Sequence, residues 1–144
     1  MRIPPLALSF LLLSALPVSA TGLETPWEIA LGPEKVLWIP EPLGSGVSQI
    51  DLDAEIKSAA LAIDEAFAGE EHADLLALAF PPEFGMGTNH DFVYIAFAYD
   101  GGTSGAVEDR RSRIVQYQWD AEAGTLNDPV ELLSDLPAGA GEKK

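Results

Sequence analysis

An internal repeat is the sequence feature that most constrains how this chain can fold. Residues 29–34 and 78–83 match each other at an offset of 49 residues. Each match is followed by a dense apolar segment with an aromatic residue in third place, at residues 36–39 and 92–95. Aromatic and β-branched residues favour strands over helices, so both copies predict paired β-strands.

A third pair of segments completes the repeating unit. Residues 47–51 and 115–120 alternate between apolar and polar side chains, as half-exposed strands do, and both segments end in aspartate. A unit of three to four strands that recurs after roughly 50–65 residues is typical of β-propeller blades. The alternative is a chance likeness between two antiparallel meanders. We predict an all-β chain with about two four-stranded antiparallel blades of an incomplete propeller.

Other segments carry further secondary-structure signals. Residues 75–80 and 92–99 are apolar at nearly every position, which predicts strands covered on both faces. Residues 56–63 permit a strand or part of an amphipathic helix, and we favour a strand. Residues 100–111 are predicted to form a polar loop. Residues 130–133 are predicted to begin the next strand, near the start of a following blade.

The first twenty residues are typical of a secretory signal peptide. Arg2 provides the charged start, residues 6–16 form the apolar centre, and Ala20 ends a small-residue cleavage motif. A membrane anchor is the alternative, but three prolines leave too short an apolar core to span a bilayer comfortably. We therefore predict export to the periplasm or the medium, with cleavage after Ala20 and no membrane attachment afterwards.

The net charge and the cysteine content of the chain limit the kinds of binding partner and chemistry that we expect. Loss of Arg2 with the signal peptide leaves 7 of the 8 basic side chains against 23 acidic ones, a formal charge of −16. Nucleic acids and anionic membranes need clustered Lys and Arg, so neither is an expected partner. Cysteine is absent, which excludes disulfides and thiolate chemistry. Residues 21–139 are expected to form the blades, and residues 140–144 a disordered tail.

The two histidines are the first candidates for catalysis or metal binding. His72 lies in a polar segment just before an apolar strand, close to Glu71 and Asp74. These three residues lack the fixed spacing of a metal site, so a metal role is the less favoured interpretation. His90 is expected to be an exposed loop histidine.

Two further patterns have simple structural interpretations. Asp51 and Asp53 resemble the start of a calcium loop, but the glycine and distal glutamate of such loops do not follow. The basic cluster at residues 110–113 is interpreted as a local salt-bridge partner in preference to an anion site. Neither a Ser-His-Asp order nor a glycine-rich phosphate loop is present. From these residues alone, the activity stays undetermined.

Several segments, taken in order and spacing, are similar to those of a known family. They are residues 26–30 (PWEIA), 37–39 (LWI), 75–80 (LLALAF), 92–96 (FVYIA), 111–117 (RSRIVQY), 125–126 (TL), 129–133 (PVELL) and 136–137 (LP). Together they resemble the N-terminal part of the soluble glucose/sorbosone dehydrogenase family, over about Pro26 to Gly139. Members of that family are pyrroloquinoline-quinone-dependent enzymes with six-bladed propellers, located in the periplasm or outside the cell.

The resemblance implies oxidation of an aldose at its anomeric carbon, with a histidine base, the quinone and a calcium ion. The family's histidine follows the Leu-Pro that corresponds to residues 136–137, but residues 138–144 contain no histidine. No catalytic residue can therefore be assigned. His72 corresponds weakly to a substrate-binding position, and the family's quinone and calcium contacts lie in later blades.

The resemblance leads to an expectation for this chain alone. We expect it to bind neither quinone nor calcium, to oxidise no sugar, and to self-associate through open blade edges. The competing interpretation is a non-catalytic exported propeller module that binds a protein or a glycan through its loops.

Overall fold

The structure is a computed structural model that describes residues 22–23, 26, 28–41, 46–66, 75–102 and 110–137. These residues form two four-stranded antiparallel sheets, each with its strands in chain order. The first sheet contains β1 (Ala30–Leu31), β2 (Val36–Glu41), β3 (Gly46–Asp51) and β4 (Ile56–Ala62). The second contains β5 (Leu75–Ala79), β6 (Phe92–Asp100), β7 (Arg110–Asp120) and β8 (Thr125–Pro137). Within the described ranges, no helix is long and apolar enough to cross a bilayer.

The architecture confirms the predicted all-β class and the repeat of strands. β1, β2 and β3 have their counterparts in β5, β6 and β7, in the order that the repeat predicts. The ambiguous segment at residues 56–63 forms strand β4, not a helix. The predicted signal peptide at residues 1–20 and the predicted tail at residues 140–144 lie outside the described residues.

Two strand boundaries in the second sheet were predicted wrongly. Arg110 and Arg111 belong to β7, because they continue its ladder against the end of β6. β8 begins at Thr125 and is the fourth strand of the second sheet, not the start of a following blade. Asp128 and Pro129 look like a turn in the sequence. β8 accommodates them through register shifts and a positive φ of 49° at Asp128.

The aspartate that ends the third strand of each repeat stabilises the turn that follows it. Asp51 accepts hydrogen bonds from the backbone N–H groups of Asp53 and Ala54, at 2.8 and 2.9 Å. Asp120 accepts the corresponding bonds from Glu122 and Ala123, at 2.9 and 3.0 Å. A carboxylate that satisfies two N–H groups favours a tight turn, so the same residue type closes both third hairpins.

The two sheets pack face to face, with β2 against β5 and β4 against β8. Trp38 lies at the centre of this interface and is only 1% exposed. Its ring makes edge-on contacts with Phe80, Phe84 and Trp119, at centroid distances of 5.5, 5.7 and 4.8 Å. Such contacts add to the burial of apolar area, so the indole joins both sheets in a single core.

The face of the second sheet that points away from the first sheet is only partly covered. Tyr94 and Ile114 are half-buried there. Val130 and Leu133 pair with this face from β8 and are 51% and 53% exposed. β6 is therefore buried throughout on the side of the first sheet, whereas on the other side Tyr94 and Ala96 are half-buried and Ala98 is fully buried. The prediction that residues 92–99 form a strand covered on both faces is therefore confirmed only in part.

Replacement of Trp38 tests whether the inter-sheet core holds the fold. We expect Trp38→Ala to lower the free energy of unfolding by about 3–5 kcal/mol, because it leaves a cavity between the sheets. Urea unfolding followed by circular dichroism measures the change. Met86 is 67% exposed, so Met86→Ala is the matched control and should shift stability by less than about 0.5 kcal/mol. Equal urea midpoints for Trp38→Ala and the unmodified chain would contradict the conclusion that Trp38 holds the two sheets together.

Candidate functional site

The histidines named from the sequence contribute little to a site in the described residues. His72, with Glu71 and Asp74, lies outside those residues, so its predicted role in substrate binding stays a prediction. His90 is exposed in the loop between β5 and β6. Its Nδ1 lies 2.8 Å from a carboxylate oxygen of Glu83, which agrees with the expected loop histidine.

The two aspartates that resemble a calcium loop are engaged with protein groups. Hydrogen bonds from the backbone N–H groups of Ala54 and Asp53 hold the pKa of Asp51 below its usual value. Asp53 instead forms an exposed ion pair with Lys35, at 2.9 Å. Across the described ranges, no three His, Cys, Asp or Glu side chains are grouped as metal ligands.

Arg113 occupies the groove between the end of β4 and the strands β7 and β8. Its Nη1 lies 2.9 Å from Oε2 of Glu65 and 3.5 Å from Oε2 of Glu131. The guanidinium carbon also lies 3.6 Å from the ring centroid of Tyr99, in cation–π geometry. The groove has a volume of about 490 Å³. The positive charge of Arg113 at its centre is already balanced by the carboxylates of Glu65 and Glu131. For Arg113, the predicted role as a salt-bridge partner is confirmed.

Tyr117 lines the same groove and is 7% exposed. Burial raises the pKa of its phenol because ionisation would place a charge in an apolar environment, and the nearby Glu65 carboxylate acts in the same direction. The Arg113 guanidinium opposes the shift but does not cancel it. The phenol is therefore neutral over the physiological range.

Glu41 is a buried carboxylate that the sequence does not single out. Its side chain is 6% exposed, on the face of the first sheet away from the second. Oε1 lies 2.8 Å from Nζ of Lys57 and accepts a hydrogen bond from the hydroxyl of Ser48. Lys57 also donates to the carbonyl oxygen of Gly22 at 2.6 Å, which ties the N-terminal segment to this face. These bonds compensate the burial of the charge and make this a structural ion pair.

A second cavity, of about 310 Å³, lies at the end of the sheets where the odd-numbered strands pass into hairpin turns. Trp38, Phe84 and Trp119 line it from both sheets. Gln49 and Asp91 are polar residues in the same lining. Sequence analysis missed this cavity because its residues come from four separate segments and share no local pattern.

The loop between β5 and β6 closes this cavity at a point where only glycine fits. Gly85 has φ 78°, and an added Cβ would lie 2.3 Å from a ring carbon of Pro33 in the first sheet's turn. The N–H of Gly85 donates to Oδ1 of Asp91 at 2.6 Å. The backbone oxygen of Asp91 in turn accepts from the N–H of Trp119 at 2.7 Å. These contacts hold Asp91 between the loop and the end of β7.

Comparison with known proteins adds a fold-level relationship. No protein-family model matches the chain, and no curated protein matches it. Among solved structures, the soluble aldose sugar dehydrogenase of Escherichia coli in its apo form matches with a TM-score of 0.62 and 13% identity, over 78% of this chain and 30% of that one. Two glucose dehydrogenase structures match with a TM-score of 0.63 and 21% identity, also over 78% of this chain.

What is shared is the fold. At these identities, the likeness establishes the arrangement of the two sheets and nothing finer. It agrees with the fold that the sequence resemblance implies, that of a glucose/sorbosone dehydrogenase. The chain spans 30% to 33% of the length of the three matched structures.

The described residues do not fit the cofactors that the fold family implies. Pyrroloquinoline quinone carries carboxylates and needs cationic partners. Arg113 is committed to Glu65 and Glu131, and Arg110 is only 8% exposed. Arg111 is exposed on β7 but lines neither of the two cavities described above. For calcium, the described ranges contain no suitable cluster of ligands. We therefore derive no chemical step through either group.

The raised pKa of Tyr117 predicts a loss of stability in alkali. The buried neutral phenol of Tyr117 stabilises the folded state. This stabilisation is fully present below the unfolded-state pKa of about 10 and is lost as pH rises through the higher folded-state pKa. The free energy of unfolding should therefore fall more steeply above pH 10 in the unmodified chain than in Tyr117→Phe. Urea midpoints measured across this pH range test the difference, and parallel curves for the two proteins would contradict the burial argument.

Proposed function

We propose that this chain is the N-terminal portion of a quinone-dependent aldose dehydrogenase, which in its intact form would oxidise the anomeric carbon of a sugar. One observation carries the proposal. Solved sugar dehydrogenases match over 78% of this chain, at TM-scores of 0.62 and 0.63. The segments that resemble the glucose/sorbosone dehydrogenase family lie in the same sheets, which gives the proposal independent support from sequence.

The proposed role of these residues is to form two blades of the propeller and to position the segment between them. That segment joins β4 to β5 and contains His72, which corresponds to a substrate-binding position in the resemblance. The catalytic base, quinone contacts and calcium ligands of such an enzyme would come from other blades. In this proposal, the chain alone is inactive.

Export is part of the same proposal. The apolar segment at residues 6–16 and the small residues before Thr21 support cleavage of a signal peptide. Release into the periplasm or the medium agrees with the acidic charge and the lack of cysteine. Mass spectrometry of the protein recovered from the periplasm checks the cleavage site, which we expect after Ala20.

An activity assay tests the assignment to an incomplete enzyme. The purified chain is mixed with glucose, pyrroloquinoline quinone, calcium and a redox dye, and the reduction of the dye is followed. We expect no aldose-dependent reduction, because the described residues supply neither a quinone site nor a calcium site. The Escherichia coli aldose sugar dehydrogenase, loaded in the same way, is the positive control. Dye reduction that depends on both sugar and quinone would show that the chain is a catalyst by itself.

The coding sequence downstream of Lys144 separates the proposal from a non-catalytic exported module. A continuation, in any frame, that contains an Asp-His pair and further repeats of the strand pattern would support a dehydrogenase portion. Downstream sequence without such repeats would contradict it and favour the module.

A further inference from the structure

The cavity at the turn end of the sheets has a lining that suits a class of ligand unrelated to sugars. Its volume of about 310 Å³ lies at the small end of the range for ligand pockets, about 300–1,000 Å³. The turn after β1, the loop after β5 and the turn after β7 all contribute residues to its walls. The cavity is therefore built by both sheets and is large enough for a small molecule.

Aromatic side chains form much of this lining. Trp38, Phe84 and Trp119 all line the cavity, and the rings of Phe84 and Trp119 are inclined to that of Trp38 by 76° and 75°. Rings at such steep angles turn their faces in different directions, which suits a rounded group better than a flat one. The face of each ring carries partial negative charge and attracts a cation, most strongly in tryptophan. Aromatic linings of this kind are typical of sites that bind quaternary ammonium groups.

The charged residues of the lining favour a ligand of the same sign. Glu34 and Asp91 line the cavity, and none of the described residues in its lining is basic. The base next in sequence, Lys35, is exposed and forms an ion pair with Asp53 at 2.9 Å. The two acidic residues therefore attract a cation and repel an anion. The formal charge of −15 on the whole chain acts in the same direction over longer distances.

One buried donor beside the cavity has no partner. Nε1 of Trp38 makes no hydrogen bond within the part of the chain that the structure describes. A Cβ added at Gly32 would lie 2.5 Å from this nitrogen, so the N–H lies at the turn whose Pro33 and Glu34 line the cavity. A buried donor without a partner loses its hydration without compensation. An uncharged acceptor on a ligand, such as a hydroxyl oxygen, would supply the missing bond.

We infer that this cavity binds a small organic cation, namely a quaternary ammonium group on a molecule that also carries an uncharged hydrogen-bond acceptor. The aromatic faces and the two acidic residues would hold the ammonium group, and the N–H of Trp38 would donate to the acceptor. Asp91 is already fixed by hydrogen bonds from the N–H groups of Gly85 and Trp119, so binding requires little ordering there. The inference does not depend on the proposed dehydrogenase, and either can fail while the other stands.

Choline and 3,3-dimethylbutan-1-ol test the role of charge. The two molecules have nearly the same shape, but the alcohol has a neutral carbon in place of the positive nitrogen. Titration of the full chain is followed by tryptophan fluorescence, because Trp38 and Trp119 line the cavity. We expect a saturable response to choline and about tenfold weaker binding of the alcohol. The absence of a saturable response to choline, or equal affinities for the two molecules, would overturn the inference.

Two further probes test the source of the ammonium group and the need for an acceptor. Phosphocholine carries the ammonium group beside a phosphate, as a lipid headgroup does, so the acidic lining should make it bind more weakly than choline. Tetramethylammonium keeps the charge but has no acceptor, so it should also bind more weakly. Tighter binding of phosphocholine would indicate a headgroup and contradict a free cation. Equal binding of tetramethylammonium and choline would contradict the role of the Trp38 N–H.

A pair of charge substitutions locates the binding. Asp91→Asn removes a negative charge but keeps an oxygen that can accept from the N–H of Gly85, and it should weaken choline binding about fivefold. Asp64→Asn removes the same charge from an exposed position outside this cavity, and it should leave the affinity within about twofold. An equal loss for both variants would show that choline responds only to the net charge of the chain, and would overturn the site.

A pair of aromatic substitutions keeps the test decisive if Asp91→Asn does not fold. Trp119→Leu removes a half-buried ring from the cavity and should weaken choline binding about tenfold. Tyr94→Leu removes the half-buried ring at the repeat position of Trp38, outside the cavity, and should change the affinity by less than about twofold. Circular dichroism checks that each variant folds. Unchanged affinity in folded Trp119→Leu would overturn the aromatic site.

Discussion

The burial of Trp38 between the two sheets is the contact on which the rest of the structure depends. A four-stranded sheet with one apolar face is not stable until another element covers that face. Here the cover comes from the second sheet and from Phe80 and Phe84, whose rings stack at 4.6 Å in the loop before β6. The same packing forms the turn-end cavity, since Trp38 and Phe84 are also part of its wall.

Polar contacts complete the interface where the apolar core ends. Arg113 links the second sheet to Glu65 at the end of the first, and it stacks on Tyr99. Half-exposed ion pairs contribute modestly to stability, but a guanidinium held by two carboxylates and a ring restricts how one sheet slides on the other. Apolar packing therefore reaches from the inner strands to Ala60 of β4 and Leu126 of β8, and the contacts of Arg113 add charge at the margin of this core.

Local patterns in the sequence predicted the strands, because alternation and turn residues act over a few positions. The repeat of strands and the favoured strand at residues 56–63 follow from such patterns, whereas the bonds by which Asp51 and Asp120 close the turns were found only in the structure. The start of β7 was missed because Arg110 and Arg111 are polar and are held by ladder bonds to β6. The start of β8 was missed because a bulged edge strand tolerates a proline. The cavity was missed because Gln49, Asp91 and Trp119 meet only after the sheets pack. Self-association through open edges stays a prediction, and the bulges of β8 work against pairing at that edge.

The partly covered face of the second sheet bears on the symmetry of any assembly that would bury it. Ile39 and Ile50 lie on the corresponding far face of the first sheet and are only 1% and 3% exposed. Head-to-tail association needs two different complementary surfaces, whereas an isologous contact uses the same surface twice. If two copies buried the face around Tyr94 and Leu133 against each other across a twofold axis, the assembly would close at a dimer and would not extend into a filament.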